Sequence, residues 1–556
     1  MLASFSSAFL RGEPRTAGFL AADFRDPQAR IRSARAAGQR RILPQLLASL
    51  TEQNRRFGDS AARQQHLAAL GAPGPEGTAV VVSGQQVGLF LGPLYTVYKA
   101  ASVIAAARLL QAESGVRCVP LFWLQTEDHD YAEIHHCYIP QYAAPPLRLQ
   151  LAEDAAEKAR VSVAHRRLGP EVQGQLEALE RALSGQPHAA EFCGLLRAHY
   201  VPGAPLSAAF AGVLAALFAE EGLLIFDPRC SEVAALAAPL YQKAIVDEAA
   251  ISAALLTRQA ALQAAGCAEQ VATRPGTALC FFHDGSATGP RYRLERGPET
   301  DSGEPRWSIP GPQSLDASAA PPARQALAQS ELLALLAAEP LRFSSSALLR
   351  PAIQDFLLPT AAYVGGPGEL NYFAQLAPVY ERLGVAASLF LPRARRRCLE
   401  DNTRSWLAKL GLRPPEVEVP RTELLRRLAT RSPQERPAPE SLRERMLADI
   451  TLRLGELEQL ETALRDPVRR ARETIDRTVT RLTERYAQAL LERDHVTAER
   501  IDRVQGFLFP EGKPQERFFS LPYFACKYGA MGFKKQILAT LAGDALLCPT
   551  VRDVEL

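Results

Sequence analysis

The segment TAVVVSGQQVGLFLGPLYTVYKAASVIAAARLLQAESGVRCVPLFWL, residues 78–124, decides the fold class. Thr78–Ser83 is short, β-branched and continuously apolar, which is typical of a parallel strand covered on both faces. A glycine-rich turn follows, Pro93 marks the start of a helix, and Gly115 closes that helix. A second apolar run, Cys118–Leu124, comes directly after it. Strand, turn, helix and strand in this order form a βαβ unit, so the sequence predicts an α/β fold built on a parallel sheet.

Further apolar runs predict additional strands of this sheet. Leu223–Phe226 follows a helical stretch and is predicted to be the third strand. Ala361–Val364 and Ala386–Leu391 are predicted to be two more, separated by a helix from about Glu369 to Leu383.

Two stretches fit the pattern of the sheet poorly and are predicted to be insertions in it. Residues 141–205 are polar and helical in composition. Residues 266–325 are rich in Gly, Pro, Ser and Thr, and contain two short strand-like pieces, LCFFHD (279–284) and YRLER (292–296). The second insertion is therefore expected to be a small mixed subdomain.

A helical arm is predicted from about residue 440 to residue 500. Apolar residues recur there at steps of three and four, between positions dominated by Arg, Glu, Asp and Gln. Such a seam, sustained over about six heptads, predicts a coiled coil. Asp466-Pro467 interrupts it with a capping residue and a first-turn proline, which favours two antiparallel helices over one kinked helix. The arm is expected to serve dimerisation or rigidity. Its seam includes Leu457, Leu460, Leu464, Ile475, Val479 and Leu482.

The composition limits the class of protein. A chain of 556 residues is expected to form at least two folded units, and its net charge of +3 gives no field that draws it to nucleic acid or membrane. Met1–Leu20 carries charged residues where a signal peptide needs an apolar core, and the best membrane candidate, Leu206–Phe226, contains two glutamates. The nine cysteines lack a C-x-x-C spacing, which indicates reduced thiols. We therefore expect a cytoplasmic protein without nucleic-acid or membrane partners.

The glycine-rich turn is the first candidate ligand site. Its glycines allow a ligand to approach the backbone, and the following helix offers free N–H groups at the positive end of its dipole. Tyr95 and Lys99 lie four residues apart on one helix face, where Lys99 can neutralise an anion. An ordinary tight connection between strand and helix is the alternative. The candidate residues are Gly84, Gly88 and Gly92 for the backbone, and Gln85, Gln86, Tyr95 and Lys99 for the side chains.

A dense cluster of acids and imidazoles follows the second strand, in TEDHDYAEIHH (126–136). Crowded like charges separate pKa values, which suits acid–base chemistry or the binding of an ammonium group. A metal held by His129, His135 and carboxylates is an alternative, but no recognised ligand spacing is present, and no metal ligand is assigned. A solvated capping cluster is another alternative. The candidate residues are Glu127, Asp128, His129, Asp130 and Glu133.

A third candidate lies at Gly365-Gly366-Pro367-Gly368, where another predicted strand ends. Three glycines in four residues let a planar ring or a sugar lie against the backbone, and Glu369 enters the next helix near its positive end. A turn without a ligand is the alternative here.

Four blocks of sequence, taken in order, resemble the family of cysteine-adding enzymes of bacillithiol biosynthesis. They are SGQQVGLFLGPLYTVYK (83–99), FWLQTEDHDYAEI (122–134), LLRPAIQDFLLPTAAYVGGPGELNYFAQL (348–376) and LFPEGKPQER (508–517). The resemblance covers most of the chain, including the arm. It implies a Rossmann-like parallel sheet core with two connecting-peptide insertions, a helical coiled-coil domain, and a homodimer assembled through the arm.

The resemblance also implies the activity and the division of the chain. The implied reaction is the last step of bacillithiol synthesis, in which cysteine is joined to glucosaminyl malate by an amide bond, with ATP or another adenine nucleotide as the expected cosubstrate. The expected segments are 1–140 for the first part of the core, 141–205 for the first insertion, 206–265 for the core, 266–345 for the second insertion, 346–395 for the core, 396–500 for the arm, and 501–556 for a segment that returns to the core.

The core of this family is similar to the nucleotidyl-transfer fold of class I aminoacyl-tRNA synthetases, whose first turn carries an H-x-G-H motif. This chain has Phe90 and Pro93 at the two histidine positions. The negative charge of the nucleotide phosphates must then be neutralised by other groups, with Lys99 and the helix end as candidates. PRARRR, residues 392–397, offers arginines in place of the mobile lysine-rich loop of that fold.

Two functions remain open at this point. In an ATP-dependent ligase, the turn at 84–92 and the cluster at 127–133 would face each other across the topological switch point of the sheet, and His129 would free the attacking amine. In a non-catalytic scaffold, which the missing histidines favour, the same fold would bind a nucleotide or a sugar acid without turnover. For the ligase, we assign catalysis to His129, Asp128 and Lys99, substrate binding to Gln85, Gln86, Tyr95, Glu127, Asp130 and Glu133, and nucleotide binding to Gly84, Gly88, Gly92, Gly365, Gly366, Gly368 and Glu369.

Overall fold

The computed structural model describes residues 3–141, 144–153, 160–299, 303–309, 325–431, 439–492 and 495–556. Contacts along the chain divide it into two compact units. The first comprises Met1–Ile139, Arg148–Arg396 and Phe519–Arg552, and the second comprises Pro140–Leu147, Arg397–Phe518 and Asp553–Leu556. The chain therefore leaves the first unit after Arg396 and returns to it at Phe519.

The strands of the described residues are β1 (Ala3–Ser4), β2 (Thr78–Gln85), β3 (Arg117–Leu124), β4 (His136–Ile139), β5 (Leu147–Gln150), β6 (Leu224–Phe226), β7 (Cys267–Ala268), β8 (Thr277–His283), β9 (Arg291–Gly297), β10 (Arg306–Ile309), β11 (Gln325–Ala328), β12 (Phe343–Ser345), β13 (Thr360–Gly365), β14 (Leu389–Pro392), β15 (Arg395–Leu399) and β16 (Val551–Glu555).

The helices are α1 (Phe5–Leu10), α2 (Pro27–Gly38), α3 (Pro44–Arg55), α4 (Ala61–Gly71), α5 (Tyr95–Ser114), α6 (Tyr131–Ile134), α7 (Glu171–Leu183), α8 (Ala189–His199), α9 (Leu206–Leu217), α10 (Ser231–Val246), α11 (Glu248–Ala264), α12 (Gln329–Ala338), α13 (Arg350–Leu357), α14 (Pro367–Phe373), α15 (Ala377–Leu383), α16 (Asp401–Leu410), α17 (Arg421–Arg431), α18 (Pro439–Leu460), α19 (Arg465–Glu492), α20 (His495–Leu508), α21 (Gln515–Phe518), α22 (Leu521–Tyr528) and α23 (Ala530–Ala539).

The centre of the first unit is a five-stranded sheet in the order β14-β13-β2-β3-β6. Every neighbouring pair in it is parallel, with Val82 opposite Leu121 and Leu121 opposite Leu224. Nearly every residue of β2 and β3 is buried, as expected for strands covered by helices on both faces. The predicted α/β fold with a parallel sheet is confirmed.

The strand order places the topological switch point between β2 and β13. From β2 the chain proceeds through β3 to β6 on one side, and β13 and β14 are added on the other side. Ligands of open α/β sheets bind at the carboxyl ends of the strands beside such a point. Our prediction placed the switch point between the glycine-rich turn and the acid cluster, which follow β2 and β3. That position is wrong because β2 and β3 are neighbours on the same side of the reversal.

Several predicted boundaries shift in the structure. β2 extends to Gln85, so Gly84 and Gln85 belong to the strand, and α5 begins at Tyr95 instead of Pro93. The single helix predicted from Glu369 to Leu383 is wrong, because the segment forms α14 and α15. Pro378 in the first turn of α15 explains the break, since a proline cannot donate to the carbonyl of the preceding turn.

A second five-stranded sheet, in the order β11-β10-β9-β8-β12, is antiparallel throughout. It contains both strand-like pieces that the sequence indicated, because LCFFHD lies mostly in β8 and YRLER lies in β9. Residues 310–324 of the predicted insertion lie outside the described residues.

The second unit contains a helical hairpin formed by α18 and α19. Arg443 near the start of α18 pairs with Asp476 at 2.6 Å, whereas Glu458 near its end pairs with Arg472 at 3.5 Å, so the two helices are antiparallel. This confirms the prediction of two helices. The break lies before Arg465, and Pro467 is inside the first turn of α19, where a missing N–H costs no helical hydrogen bond.

Among the helices that the structure describes, none is long and apolar enough to cross a membrane.

Candidate functional site

Lys99 and Glu369 form a buried ion pair beside the switch point. The Lys99 ammonium lies 2.7 Å from the Glu369 carboxylate, and it donates to Gly84 O at 2.7 Å and to Gln85 Oε1 at 3.0 Å. The two charged side chains are only 4% and 15% exposed. All three ammonium protons therefore have acceptors inside the protein, and Lys99 ties the end of β2 to the start of α14.

Donors surround the Glu369 carboxylate. Its Oε1 accepts from the Tyr363 hydroxyl at 2.5 Å, and its Oε2 accepts from the Gly366 N–H at 2.7 Å. Burial raises the pKa of Glu369, but the Lys99 ammonium and these hydrogen bonds outweigh burial, so the pKa lies below its ordinary value. Burial and the neighbouring carboxylate raise the pKa of Tyr363, so its hydroxyl stays protonated and continues to donate.

Gln85 and Tyr95 are partly exposed residues beside this buried ion pair. The Gln85 Nε2 donates to the Tyr95 hydroxyl at 3.2 Å, and the Arg393 guanidinium lies 5.5 Å from the centre of the Tyr95 ring. Tyr95 and Lys99 lie on one helix face, as predicted, but Lys99 is buried and Tyr95 is accessible.

Close backbone packing requires the glycines of the turn. A Cβ atom at Gly84 would lie 2.8 Å from Trp123 O, and one at Gly88 would lie 2.9 Å from the Gly92 Cα. Gly92 has a φ of +61° and a ψ of −153°, a conformation that other residues rarely adopt. Packing accounts for these glycines without a ligand, and their role in nucleotide binding stays a prediction.

The segment that returns to the first unit covers the start of α5. The Leu94 N–H donates to Phe519 O at 2.8 Å, and Pro93 forms an isolated β-bridge with Ser520. At least this N–H group of the helix start is thus already paired. The Thr96 hydroxyl, also in the first turn, is buried and has no hydrogen-bond partner within the described part of the chain.

The third predicted glycine cluster joins β13 to α14. A Cβ atom at Gly365 would lie 2.7 Å from the Phe390 ring, and Gly366 donates to Glu369. Gly368 differs from both, because an added Cβ atom there would meet nothing within 4 Å. Of these three glycines, Gly368 alone lies on an exposed surface.

Gln86 and Asp128 connect the turn to the acid cluster. The Gln86 Nε2 donates to Asp128 Oδ2 at 2.7 Å, and Asp128 Oδ1 accepts from the backbone N–H of His129 at 2.7 Å. The structure therefore brings the carboxyl ends of β2 and β3 together through side chains that the sequence singled out.

His129 is a partly exposed imidazole in this cluster, with 32% of its side chain accessible. Its Nδ1 lies 3.6 Å from Asp128 Oδ1 and 3.4 Å from Arg291 Nη1. Burial lowers the pKa of His129 and the Arg291 charge lowers it further, whereas Asp128 raises it, with a net decrease. The imidazole is consequently neutral at pH 7 and able to accept a proton.

The second sheet supplies residues to the acid cluster. The Ser345 hydroxyl of β12 donates to Glu127 Oε2, and the Tyr241 hydroxyl donates to Glu127 Oε1 at 3.3 Å. Arg291 of β9 lies 3.4 Å from Asp128 and donates to Ser345 O at 2.8 Å. Glu127 is thus held by the protein, whereas Asp128 and His129 face a buried cation.

Asp130 and Glu133 lie on the exposed side of the cluster. Asp130 caps α6, since its Oδ1 accepts from the Glu133 N–H at 3.2 Å. This is the arrangement of the capping alternative, and binding of a substrate ammonium group by these two residues stays a prediction.

The arginines of residues 392–397 do not form a mobile loop. Arg396 is 1% exposed and donates to Thr540 O and Oγ1, both at 2.8 Å. Arg397 is 3% exposed and pairs with Glu418 at 2.6 Å and Asp553 at 2.8 Å. The prediction that these two arginines replace a lysine-rich loop is wrong, because their charges are used inside the protein.

No group of three or more His, Cys, Asp and Glu side chains in the described part of the chain is arranged to hold a metal ion. His135, one of the alternative ligands, is buried, and its Nδ1 lies 3.0 Å from Ala132 O and 3.1 Å from Tyr131 O.

Sequence reasoning missed the residues that complete both clusters. Arg350 lies 4.9 Å above the Tyr363 ring and donates to the Tyr372 hydroxyl at 3.2 Å beside the switch point. Arg291 and Ser345 reach the acid cluster from the second sheet. Arg350 stood inside a block of sequence that carried the family resemblance, but no local pattern pointed to Arg291 or Ser345, which are placed by strand pairing.

Comparison with known proteins matches the chain to two family models. Residues 3–394 match the model described as bacillithiol biosynthesis BshC, N-terminal Rossmann-like domain, and residues 397–542 match the BshC C-terminal coiled-coil domain. The two matches together span most of the chain, including the α18–α19 hairpin.

Curated relatives show the same likeness over most of their length. A protein of Koribacter versatilis is 34% identical over 86% of this chain and 84% of its own. Proteins of Salinibacter ruber and Solibacter usitatus are each 30% identical, over 92% and 82% of this chain and 89% and 80% of their own. All three carry the name "Putative cysteine ligase BshC".

Proposed function

Because the chain belongs to the bacillithiol biosynthesis BshC family, with its Rossmann-like and coiled-coil domains, we propose that it joins cysteine to glucosaminyl malate by an amide bond. The name of its relatives, which specifies a cysteine ligase, supports the reaction type. The proposal depends most on His129, a neutral and partly exposed imidazole that the Gln86–Asp128 hydrogen bond fixes at the carboxyl ends of β2 and β3.

His129 acts in this proposal as the general base. An amine must lose a proton to form an amide, and the neutral imidazole accepts that proton as the C–N bond forms. The bond that breaks joins the activated cysteine carboxyl to a phosphate of the nucleotide. Asp128 keeps the backbone of His129 in place and partly offsets the Arg291 charge, which would otherwise make His129 a weaker base.

We propose that the nucleotide binds at the switch point against Tyr95, Gln85 and the exposed Gly368, because these residues are accessible there. Lys99 and Glu369 form the buried ion pair beside these groups. We propose ATP as cosubstrate because amide formation from a free carboxylate requires activation. A soluble location in the cytoplasm, where both small substrates are available, is part of the same proposal.

An assay of the purified protein with ATP, cysteine and glucosaminyl malate should yield the amide product, identified by mass spectrometry. Omission of cysteine or ATP should abolish the product. Exchange of labelled pyrophosphate into ATP that depends on cysteine is expected if activation forms an adenylate. Absence of product with every nucleotide and divalent metal tried would contradict the ligase proposal.

The second candidate function is a scaffold that binds a nucleotide or sugar acid without turnover. Phe90 and Pro93 favour it, because both lack the ionisable groups of the H-x-G-H motif, and Phe90 is fully buried. Saturable binding of ATP or of the sugar acid without product formation would distinguish this function from the ligase.

We propose that the arm forms a homodimer. Leu457 and Leu482 of the predicted seam are 45% and 55% exposed, and Leu452 is 64% exposed. Each leucine stabilises an interface by roughly 1.5–3 kcal/mol when it is buried. We therefore expect Leu457→Glu combined with Leu482→Glu to convert dimers to monomers in sedimentation velocity, while the first unit stays folded.

Thr474→Glu combined with Thr478→Glu is the matched control, since it adds the same charge to exposed positions of α19. This control should remain dimeric. If the leucine variant also sediments as a dimer, the arm is not the dimer interface. The side chain of Leu460, another residue of the predicted seam, lies outside the described residues.

A further inference from the structure

A cleft lies at the amino end of β3, between the helices α4 and α5. It is open to solvent and has a volume of about 430 Å³. This volume is within the range of about 300–1,000 Å³ that is usual for small-molecule sites. Much of its wall is apolar, as such sites usually are, and consists of Ala62, Ile104, Ala107, Ala112 and Pro120.

The short edge strand β6 leaves the start of β3 uncovered. Pairing with β6 begins only at Leu121, so residues 117–120 have no partner on that side among the strands that the structure describes. The Cys118 N–H donates to Gln111 Oε1 at 3.2 Å, and Pro120 has no N–H. This edge therefore offers few donors to a further strand, and the space beside it remains open as the cleft.

The cleft is separate from the candidate functional site. That site follows the carboxyl ends of β2 and β3, whereas the cleft borders the residues that begin β3. A strand rises about 3.3 Å per residue, so the start of β3, a strand of 8 residues, lies roughly 23 Å from its end. A small ligand in the cleft therefore does not contact Asp128 or His129.

Two arginines give the cleft a positive charge that the protein does not neutralise. Arg108 of α5 and Arg117 of β3 are exposed, and neither lies at ion-pair distance from a carboxylate in the part of the chain that the structure describes. Burial lowers the pKa of the neighbouring His66, and the Arg117 charge lowers it further, so this imidazole is neutral at pH 7. Guanidinium groups bind carboxylates with two parallel hydrogen bonds, so the two arginines suit a ligand with two carboxylates.

Two glutamates also border the cleft, and only one of them is accessible. The fully buried Lys534 Nζ lies 2.9 Å from Glu221 Oε2 and 3.2 Å from Glu220 Oε2. Glu221 is 8% exposed, whereas Glu220 is 60% exposed. The hydrogen bond from Lys534 lowers the pKa of Glu220, so this carboxylate is ionised at neutral pH. Its exposed part is able to bind an ammonium group.

We propose that the cleft is a second ligand site, which binds a small molecule with two carboxylates and one ammonium group. Arg108 and Arg117 bind the carboxylates, Glu220 binds the ammonium group, and the apolar wall contacts the carbon skeleton. The identity of the ligand rests on the proposed function, because that reaction contains two molecules of this chemistry. They are the amine acceptor glucosaminyl malate and the amide product, which keeps the malate carboxylates and gains the ammonium group of cysteine.

Hydrogen–deuterium exchange followed by mass spectrometry tests this site without turnover. Glucosaminyl malate or the amide product should slow exchange in peptides that cover residues 104–120 and 219–223 of the wild-type protein. The molecule that gives half-maximal protection at the lower concentration is the ligand of the cleft. Arg108→Gln combined with Arg117→Gln should raise that concentration at least about tenfold, the usual effect of losing charge-assisted hydrogen bonds.

Free malate separates the contacts of the carboxylates from the contact of the ammonium group, which malate lacks. Glu220→Gln should raise the half-maximal concentration of the ammonium-bearing ligand about threefold, as expected for an exposed ion pair, and should leave that of malate unchanged. Lys534 keeps Glu221 as its partner in this variant. An unchanged value for the ammonium-bearing ligand would overturn the role of Glu220.

Arg35→Gln combined with Arg41→Gln is the matched control, since both are exposed arginines of the first unit that lie outside the cleft. Its half-maximal concentration should stay within about twofold of the wild-type value. The site would be overturned if neither glucosaminyl malate nor the amide product protected the cleft peptides. An equal half-maximal concentration in the variant that lacks Arg108 and Arg117 would also overturn it.

The failure of the cleft and the failure of the ligase proposal give different results. If the enzyme forms product but both molecules protect only peptides that cover residues 85–92 and 126–136, the cleft assignment fails and the ligase stands. If no product forms under any condition but protection of the cleft depends on the two arginines, the cleft stands and the ligase proposal fails.

Discussion

Replacement of His129 by alanine should lower kcat for amide formation by about 100- to 10,000-fold, the usual contribution of a general base. The fold should be unaffected, because the side chain is partly exposed and its nearest polar contacts are Asp128 and Arg291 at 3.4–3.6 Å. Steady-state kinetics with saturating ATP and cysteine would measure the change, and circular dichroism would verify the fold.

His188→Ala is the control, because His188 is 44% exposed and its Nδ1 lies 3.7 Å from Glu191, far along the chain from the cluster. Its kcat should equal the wild-type value. A His129→Ala enzyme that retains more than about one tenth of wild-type activity would exclude His129 as the base.

The same assignment predicts a pH dependence. A base works in its neutral form, so activity should be lost as the pH falls through the pKa of His129, which lies below the ordinary value of 6.5. Arg291→Met removes a charge that lowers this pKa, so the acidic limb of the profile of kcat/KM should move to higher pH. A limb that stays in place would show that another group titrates there.

Replacement of Lys99 by methionine should destabilise the protein by about 3–5 kcal/mol, because it leaves the Glu369 carboxylate buried without its cation. Denaturant unfolding followed by fluorescence would measure the loss. Gly84 O and Gln85 Oε1 would lose their donor in the same variant, which adds to the effect.

The double variant Lys99→Met with Glu369→Gln shows how much of the destabilisation comes from the unpaired Glu369 charge. Neutralising both partners removes the unpaired charge, so much of the lost free energy of unfolding should return. If Lys99→Met alone is as stable as the wild-type protein but inactive, the ammonium serves the substrate and the structural role is wrong.

The parallel sheet was predictable because its signals are local. The continuous apolar run of β2, the glycine that ends α5 and the run of β3 each follow from a few neighbouring residues. Strand order is not local, which is why the switch point was misplaced. The order depends on where β13 pairs, and its partner β2 lies far away in the sequence.

The candidate site was predictable only in part, for the same reason. Gln86, Asp128 and His129 stand at the ends of predicted strands, where side chains of neighbouring parallel strands meet. Arg291 begins an antiparallel strand of an insertion, and nothing near it in sequence indicates that it reaches Asp128. Lysine is usually found on the surface of a protein. The burial of Lys99 is explained only by its ion pair with Glu369, which is far from it in the sequence.

The late return of the chain to the first unit has a consequence for protein synthesis. α23 packs on α5, and Lys534, whose side chain is fully buried, pairs with Glu220 and Glu221. At roughly 5–20 residues per second, the ribosome supplies α23 on the order of tens of seconds after α5. Throughout that interval the nascent chain carries an uncovered apolar helix face, and the arm is translated before the face is closed. We therefore expect binding of nascent chains by chaperones to persist until residues 530–539 leave the exit tunnel.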